Sequence, residues 1–138
     1  MSALLEVKGI AKNFDGLKAV DGIDFEIAKG ETFSLVGESG CGKSTVARLI
    51  VGLYRPSAGS IEFEGRDIAG LTRAEMAPLR RRLQMIFQDP YASLNPRWRV
   101  RDIVAEPLRA FGIETTSSGI ERRVAELLSY VKLSAADG

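Results

Sequence analysis

Residues 37–44 fit the pattern G-x-x-x-x-G-K-S/T at every fixed position, and this spacing is typical of a phosphate-binding loop. Glycines let the backbone turn so that its N–H groups point inward, and they let phosphates approach closely. Lys43 can reach the β- and γ-phosphates of a nucleotide, and the Ser44 hydroxyl can ligate magnesium. The pattern predicts a site for a nucleoside triphosphate, and we expect ATP with Mg²⁺.

The whole phosphate loop, which we define as residues 37–45, is expected to contact the nucleotide. The predicted contacts are Gly37, Glu38, Ser39, Gly40, Cys41, Gly42, Lys43, Ser44 and Thr45. A helix that begins at the end of this loop adds the positive end of its dipole, equivalent to roughly half an elementary charge. Lys43 is also the first candidate for a catalytic residue.

Elements on both sides are predicted to position the phosphate loop. Residues 32–36 are an apolar run that predicts a buried strand leading directly into the loop. Apolar residues recur after the loop at helical spacing, namely Val46, Leu49, Ile50 and Leu53. Residues 83–87 predict another buried strand, and a strand–loop–helix unit followed by such a strand indicates an α/β fold.

The other segments predict short strands first and helices later. Residues 4–7 are a short apolar segment that predicts a strand, and apolar and polar residues alternate in predicted strands at residues 23–27 and 61–64. A capping box at residues 72–75 predicts the start of a helix. Further predictions are a loop at 89–97, a helix at 100–111 with a break or a restart at Pro107, and a polar linker at 115–119. A helical stripe is predicted after the linker, formed by Ile120, Val124, Leu127, Leu128 and Val131.

Composition narrows the possible functions. The chain has 138 residues, a formal net charge of +1 and one cysteine. It contains no histidine, so a nucleophile–histidine pair and a histidine-ligated metal are excluded. Near-neutral charge gives no reason to expect a nucleic-acid partner, and Arg80, Arg81 and Arg82 are interpreted as a solvated, salt-bridged helix face. No apolar run approaches the roughly 18 residues of a spanning helix, so direct membrane insertion is not expected.

Three segments together resemble the ATPases of ABC transporters. The string GESGCGKST at residues 37–45 resembles their Walker A motif, and LLEVKGIAKNF and AVDGIDFEIAKGE resemble their N-terminal antiparallel strands. The string MIFQDPYASLNPR at residues 85–97 resembles the Q-loop region of oligopeptide/dipeptide importer ATP-binding subunits. The resemblance implies a P-loop NTPase (RecA-like) core with an N-terminal antiparallel β subdomain and the start of a helical subdomain, truncated.

The resemblance also implies roles for residues outside the phosphate loop. Phe14 would stack on adenine, which is worth about 1–3 kcal/mol, or else it is a core or hairpin phenylalanine. Val20 would pack against the adenine edge, or else it is a core residue. Gln88 would be the Q-loop glutamine, a catalytic residue that touches magnesium and senses the γ-phosphate; the alternative is a solvated loop glutamine.

Domains and partners follow from the same resemblance. Residues 1–98 would be the N-terminal part of the ATPase core, with the β subdomain, Walker A motif and Q-loop, and residues 99–138 a partial helical subdomain. The segment after Gln88 would contact the transmembrane permease subunits, and a second ATPase subunit would complete the nucleotide sandwich. The expected location is cytoplasmic, peripheral on the inner face of the cell membrane.

The sequence lacks three further elements of the family. It has no Leu-Ser-Gly-Gly-Gln signature, no Walker B strand ending in Asp-Glu and no switch histidine. Residues 103–106 only imitate Walker B, and residues 133–137 only begin like the signature. The intact protein is expected to be an ATPase, whereas this chain is expected to be truncated and to bind magnesium-ATP with little or no turnover.

Other functions compatible with the phosphate loop remain open at this point. One is a non-transport ABC-type ATPase, which would lack genes for membrane subunits beside its own. Another is a P-loop kinase or GTPase, for which guanine selectivity would be diagnostic. A third is a short P-loop nucleotide-binding regulator that is not an enzyme.

Overall fold

The structure is a computed structural model, and it describes residues 3–134 and 136 but not the side chain of Pro90. Two residues of the 133–137 segment, Ala135 and Asp137, lie outside the described residues. The chain forms two compact units, Met1–Met85 and Ile86–Gly138. The sequence instead predicts a division after residue 98, at the boundary between two subdomains of the ABC ATPases that it resembles. That subdomain boundary stays a prediction.

An antiparallel sheet of four strands dominates the first unit. Its strands are β1 (Leu5–Phe14), β2 (Leu17–Ile27), β3 (Ala58–Phe63) and β4 (Arg66–Asp67), in the order β2-β1-β3-β4. Asp15 and Gly16 join β1 to β2 with φ of 44° and 95°, which suits a tight hairpin because primed turns need positive φ. The predicted short strands are confirmed, and β1 and β2 are longer than predicted.

Two helices of the first unit begin where the sequence predicts. α1 (Lys43–Ile50) follows the phosphate loop directly. α2 (Arg73–Met76) begins after Thr72, whose hydroxyl accepts from Glu75 N while the Glu75 carboxylate accepts from Thr72 N at 2.8 Å. The predicted capping box is therefore confirmed, and a 3₁₀ turn at Leu79–Arg81 follows.

The core of the first unit joins α1 to the sheet. Val46 and Leu49 on α1 belong to the same buried cluster as Val7, Ile10 and Ile61 on the strands. Apolar burial against the sheet contributes most of the stability of so short a helix. The position of the phosphate loop therefore depends on this packing.

The second unit contains helices α3 (Pro90–Ser93), α4 (Val100–Ala110) and α5 (Ser117–Tyr130). α4 and α5 share a buried cluster of Ala105, Leu108, Ile120, Val124 and Leu128. The predicted break at Pro107 is wrong, because α4 continues through this exposed residue, where water can solvate the carbonyl that loses its helical donor. α3 interrupts the predicted 89–97 loop, and α5 begins inside the predicted 115–119 linker with Thr116 as its N-cap.

The two predicted buried strands that precede the phosphate loop and Gln88 are wrong. Residues 32–36 and 83–87 form neither helix nor strand, and residues 32–36 are exposed. In the described ranges neither segment pairs with a neighbouring strand. An isolated extended segment has no ladder to satisfy its backbone groups, so it gains nothing from strand geometry.

None of the helices in the described part of the chain has the length and apolar character needed to cross a lipid bilayer.

We predict that Leu49→Ala lowers the free energy of unfolding by about 2–5 kcal/mol, because Leu49 is 2% exposed between α1 and the sheet. Leu17→Ala removes the same atoms from a side chain that is 70% exposed, and it should cost less than about 0.5 kcal/mol. Urea denaturation followed by circular dichroism measures both values. Equal losses would contradict the packing of α1 described above.

Candidate nucleotide-binding site

Two glycines give the phosphate loop its shape. Gly40 and Gly42 have φ of 83° and 93°, in the left-handed region that other residues adopt only at a cost. Between them, Cys41 N donates to Glu38 O at 3.3 Å and closes a turn. The backbone thus curls just before α1 begins.

Gly42 also lies directly against strand β2. A Cβ atom built on Gly42 would be 2.3 Å from the Ala19 carbonyl oxygen and 3.4 Å from Val20 Cγ2. The distance of 2.3 Å is far below any normal contact, and the Ala19 oxygen belongs to the backbone, which cannot rotate away as a side chain can. Position 42 therefore requires glycine both for its φ and for the space it occupies.

The N-terminus of α1 is prepared for an anion. Gly42 is the N-cap, no side chain caps the helix, and no acidic residue lies in its first turn. The first N–H groups of a helix have no intrahelical acceptor, so those of Lys43, Ser44 and Thr45 remain for a ligand. Together with the helix dipole, they make a site that favours phosphate.

The Lys43 ammonium folds back over the loop that precedes it. Its Nζ donates to Gly37 O at 2.8 Å and to Glu38 O, and it lies 3.4 Å from Cys41 Sγ. Two carbonyl oxygens thus hold the positive charge above the turn. Phosphate oxygens carry more negative charge than carbonyls, so a nucleotide can replace them as acceptors.

Phe14 lies at the end of β1, with 37% of its surface exposed. Its ring contacts Tyr54 edge to face at 5.4 Å between centroids, and Lys12 Nζ lies 4.9 Å from its centre. Arg48 on α1 lies 5.9 Å from the centre of the Tyr54 ring. Tyr54 was not a predicted site residue, because a single tyrosine after a helix carries no distinctive sequence signal.

Val20 lies beneath the phosphate loop. It is 7% exposed, belongs to the core of the first unit, and lines a cavity of about 330 Å³ together with Cys41, Gly42 and Lys43. The structure therefore brings Val20 next to the phosphate loop as a core residue. Its contact with adenine stays a prediction.

Gln88 belongs to the second unit, where it is exposed and directly precedes Asp89, the N-cap of α3. Asp89 Oδ1 accepts from Tyr91 N at 3.0 Å and from Ala92 N at 3.2 Å. The predicted contact of Gln88 with magnesium stays a prediction, as does its catalytic role.

The residues of the phosphate loop fit a triphosphate with a divalent cation. Left-handed glycines, an uncapped helix and a lysine ammonium over the turn are the groups that a polyphosphate requires. The described residues contain no group of three or more Asp, Glu, Cys or His that could hold a metal by themselves. Within the loop, the exposed hydroxyl of Ser44 is the group that would hold Mg²⁺ beside phosphate oxygens.

Comparison with known proteins gives the family context. The sequence profile described as ABC transporter matches residues 20–137. Two relatives from Bacillus subtilis (strain 168) are similar: the putative oligopeptide transport ATP-binding protein YkfD, 48% identical over 94% of this chain, and the oligopeptide transport ATP-binding protein OppF, 47% identical over 95%. The chain spans only 41% and 45% of their respective lengths.

Solved structures resemble the fold. A dimeric ATP-binding cassette in a post-hydrolysis state, bound to ADP and Pi, superimposes with a TM-score of 0.79 over 94% of this chain and 58% of its own, at 24% identity. The protein cbiO1 of Clostridium perfringens, part of an ABC transporter complex, gives 0.73 over 96% of this chain and 52% of its own, at 29% identity.

We predict that Gly42→Ala destabilises the protein by about 1–3 kcal/mol more than Gly40→Ala. Both substitutions place a Cβ on a left-handed residue, which costs about 1–2 kcal/mol. Only the one at position 42 also meets the Ala19 carbonyl, because nothing lies within 4 Å of a Cβ on Gly40. Urea denaturation of the two variants gives the comparison, and equal losses would refute the close approach of Gly42 to β2.

Proposed function

This chain belongs to the ABC transporter family, and on that premise we propose that its phosphate loop binds ATP with Mg²⁺ in the ATP-binding subunit of a peptide importer. The observation that carries the proposal is the arrangement of the α1 N-terminus. An uncapped helix follows two left-handed glycines, and a lysine ammonium is held over the same turn. No other part of the described chain combines these three features.

In the proposed complex the triphosphate lies along the backbone N–H groups of residues 40–45. Lys43 exchanges the Gly37 and Glu38 carbonyls for phosphate oxygens, so its charge stays paired throughout. Ser44 would hold Mg²⁺, which when bound would neutralise phosphate charge and polarise the γ-phosphate. Phe14 offers the part of its ring that Tyr54 and Lys12 leave exposed to the adenine.

We further propose that the whole protein hydrolyses ATP, whereas this chain alone barely does so. The chain provides backbone groups that bind phosphate and a positive charge that stabilises the bound phosphate. Its sequence contains neither the Asp-Glu pair of Walker B nor the Leu-Ser-Gly-Gly-Gln signature. Without a general base to orient and deprotonate water, binding energy alone does not supply turnover.

Peptide import is the proposed role of the whole protein. Support comes from the names of its relatives, since YkfD and OppF are both described as oligopeptide transport ATP-binding proteins. In this proposal two subunits enclose two ATP molecules, and the segment at residues 89–97 contacts the permease subunits. The protein would then lie on the cytoplasmic face of the cell membrane.

The proposal predicts that magnesium-ATP stabilises the 138-residue chain and that Lys43→Ala removes the effect. ATP at 100 times its dissociation constant should add about 2.7 kcal/mol to the free energy of unfolding. Thermal shift measures the gain, and Lys29→Ala is the matched control because Lys29 is exposed and lies outside the phosphate loop.

Three results would count against the proposal. A shift that persists in Lys43→Ala would mean that the nucleotide binds elsewhere. A larger shift with magnesium-GTP than with magnesium-ATP would contradict the adenine contact of Phe14. Robust phosphate release by the purified chain would contradict the assignment of binding without turnover.

A further inference from the structure

A second cavity of the first unit lies at the C-terminal end of α1, the end opposite to the phosphate loop. Its volume is about 400 Å³, within the range of ligand pockets. Three arginines, Arg55, Arg73 and Arg80, line it, and no acidic residue does. We call it the basic cavity.

Within the part of the chain that the structure describes, the arginines of the basic cavity form no ion pair with a carboxylate. The ion pairs of the described residues join Lys8 to Glu6, Lys18 to Asp21, Arg82 to Glu64 and Arg123 to Glu126. Arg55, Arg73 and Arg80 are in none of them. The predicted salt-bridged face at residues 80–82 therefore holds for Arg82 but leaves Arg80 unpaired.

The acids nearest to the basic cavity in sequence already have partners of their own. The Glu75 carboxylate accepts from Thr72 N at 2.8 Å and from Thr72 Oγ1 at 2.7 Å, and these bonds lower the pKa of Glu75. Asp67 Oδ1 accepts from Ala69 N at 2.9 Å. Both carboxylates are thus used to shape the backbone around the cavity.

The floor of the basic cavity is apolar. Leu49, Ile68 and Met76 are buried there, and Leu53 is 47% exposed at the rim. Met76 lies over Gly52, since a Cβ on Gly52 would be 2.6 Å from Met76 Cε. A ligand for this cavity should therefore combine an apolar group with negative charge.

We propose that the basic cavity is a docking surface for an acidic amphipathic segment of a partner protein. An apolar side chain of the segment fills the cavity, and carboxylates beside it pair with Arg55, Arg73 and Arg80. Charge complementarity and the apolar floor both favour this occupant. A nucleic-acid backbone would use the arginines but leave the floor unfilled, and binding of an anionic bilayer is an outcome of the test below.

This inference does not depend on nucleotide binding, because its three arginines lie outside the phosphate loop. Tyr54 also lines the basic cavity, and its ring contacts Phe14. It also concerns a different segment from residues 89–97, to which the permease contact is assigned. Failure of one proposal therefore leaves the other standing, and each has its own assay.

The test uses fluorescence anisotropy with a labelled helical peptide that carries glutamates at i, i+3 and i+4 around a leucine stripe. Two control peptides replace its leucines by serine or its glutamates by lysine. Arg80→Glu is compared with Arg81→Glu, since Arg81 is the exposed neighbour in the same 3₁₀ turn and does not line the cavity. Circular dichroism, which needs no nucleotide, verifies that both variants remain folded.

We expect the acidic peptide to bind the wild-type chain and Arg80→Glu to weaken it about tenfold, because reversal replaces an attraction by a repulsion. Arg81→Glu should change the affinity less than about twofold. Equal losses in the two variants, equal binding of the serine peptide, or no binding of the acidic peptide would overturn the proposal. So would phosphatidylglycerol vesicles that bind more tightly than the peptide and lose binding in Arg80→Glu.

Discussion

The contact between Gly42 and the Ala19 carbonyl of β2 is the constraint on which the nucleotide site depends. A Cβ at position 42 would meet that oxygen at 2.3 Å, and φ at Gly42 is 93°. The residue thus joins the sheet, the phosphate loop and α1 at one point. Because α1 also buries Val46 and Leu49 in the sheet core, its N-terminus has a fixed direction before any ligand arrives. A site organised in this way loses little conformational freedom on binding.

Electrostatics then give this fixed N-terminus its chemistry. No side chain caps α1 and no acid lies in its first turn, so its N–H groups remain available and its dipole is not neutralised. Lys43 adds a full positive charge, and its ammonium donates to two backbone carbonyls of the loop. Every one of these groups stabilises negative charge, and none removes a proton from water. The geometry of the phosphate loop therefore favours binding of a polyphosphate.

Local signals predicted the parts of the fold that local interactions determine. The capping box at Thr72, the alternation in β3 and the helical stripe of α5 were sufficient, since each depends on residues close together in sequence. Residues 32–36 and 83–87 have equally apolar sequences but form no strands, because a strand needs a neighbour that sequence alone does not specify. The site residues differ in the same way in how far the sequence predicts them. The phosphate loop has a strict sequence pattern. Tyr54 meets Phe14, and the arginines of the basic cavity meet one another, only in three dimensions.

A two-dimensional amide NMR titration with magnesium-ATP tests the central claim most directly, because it reports on the backbone N–H groups themselves. The account predicts that the largest shift changes fall on residues 40–45, with smaller changes in β2 next to Gly42. Changes confined to other parts of the chain, with the amides of Lys43, Ser44 and Thr45 unmoved, would contradict it.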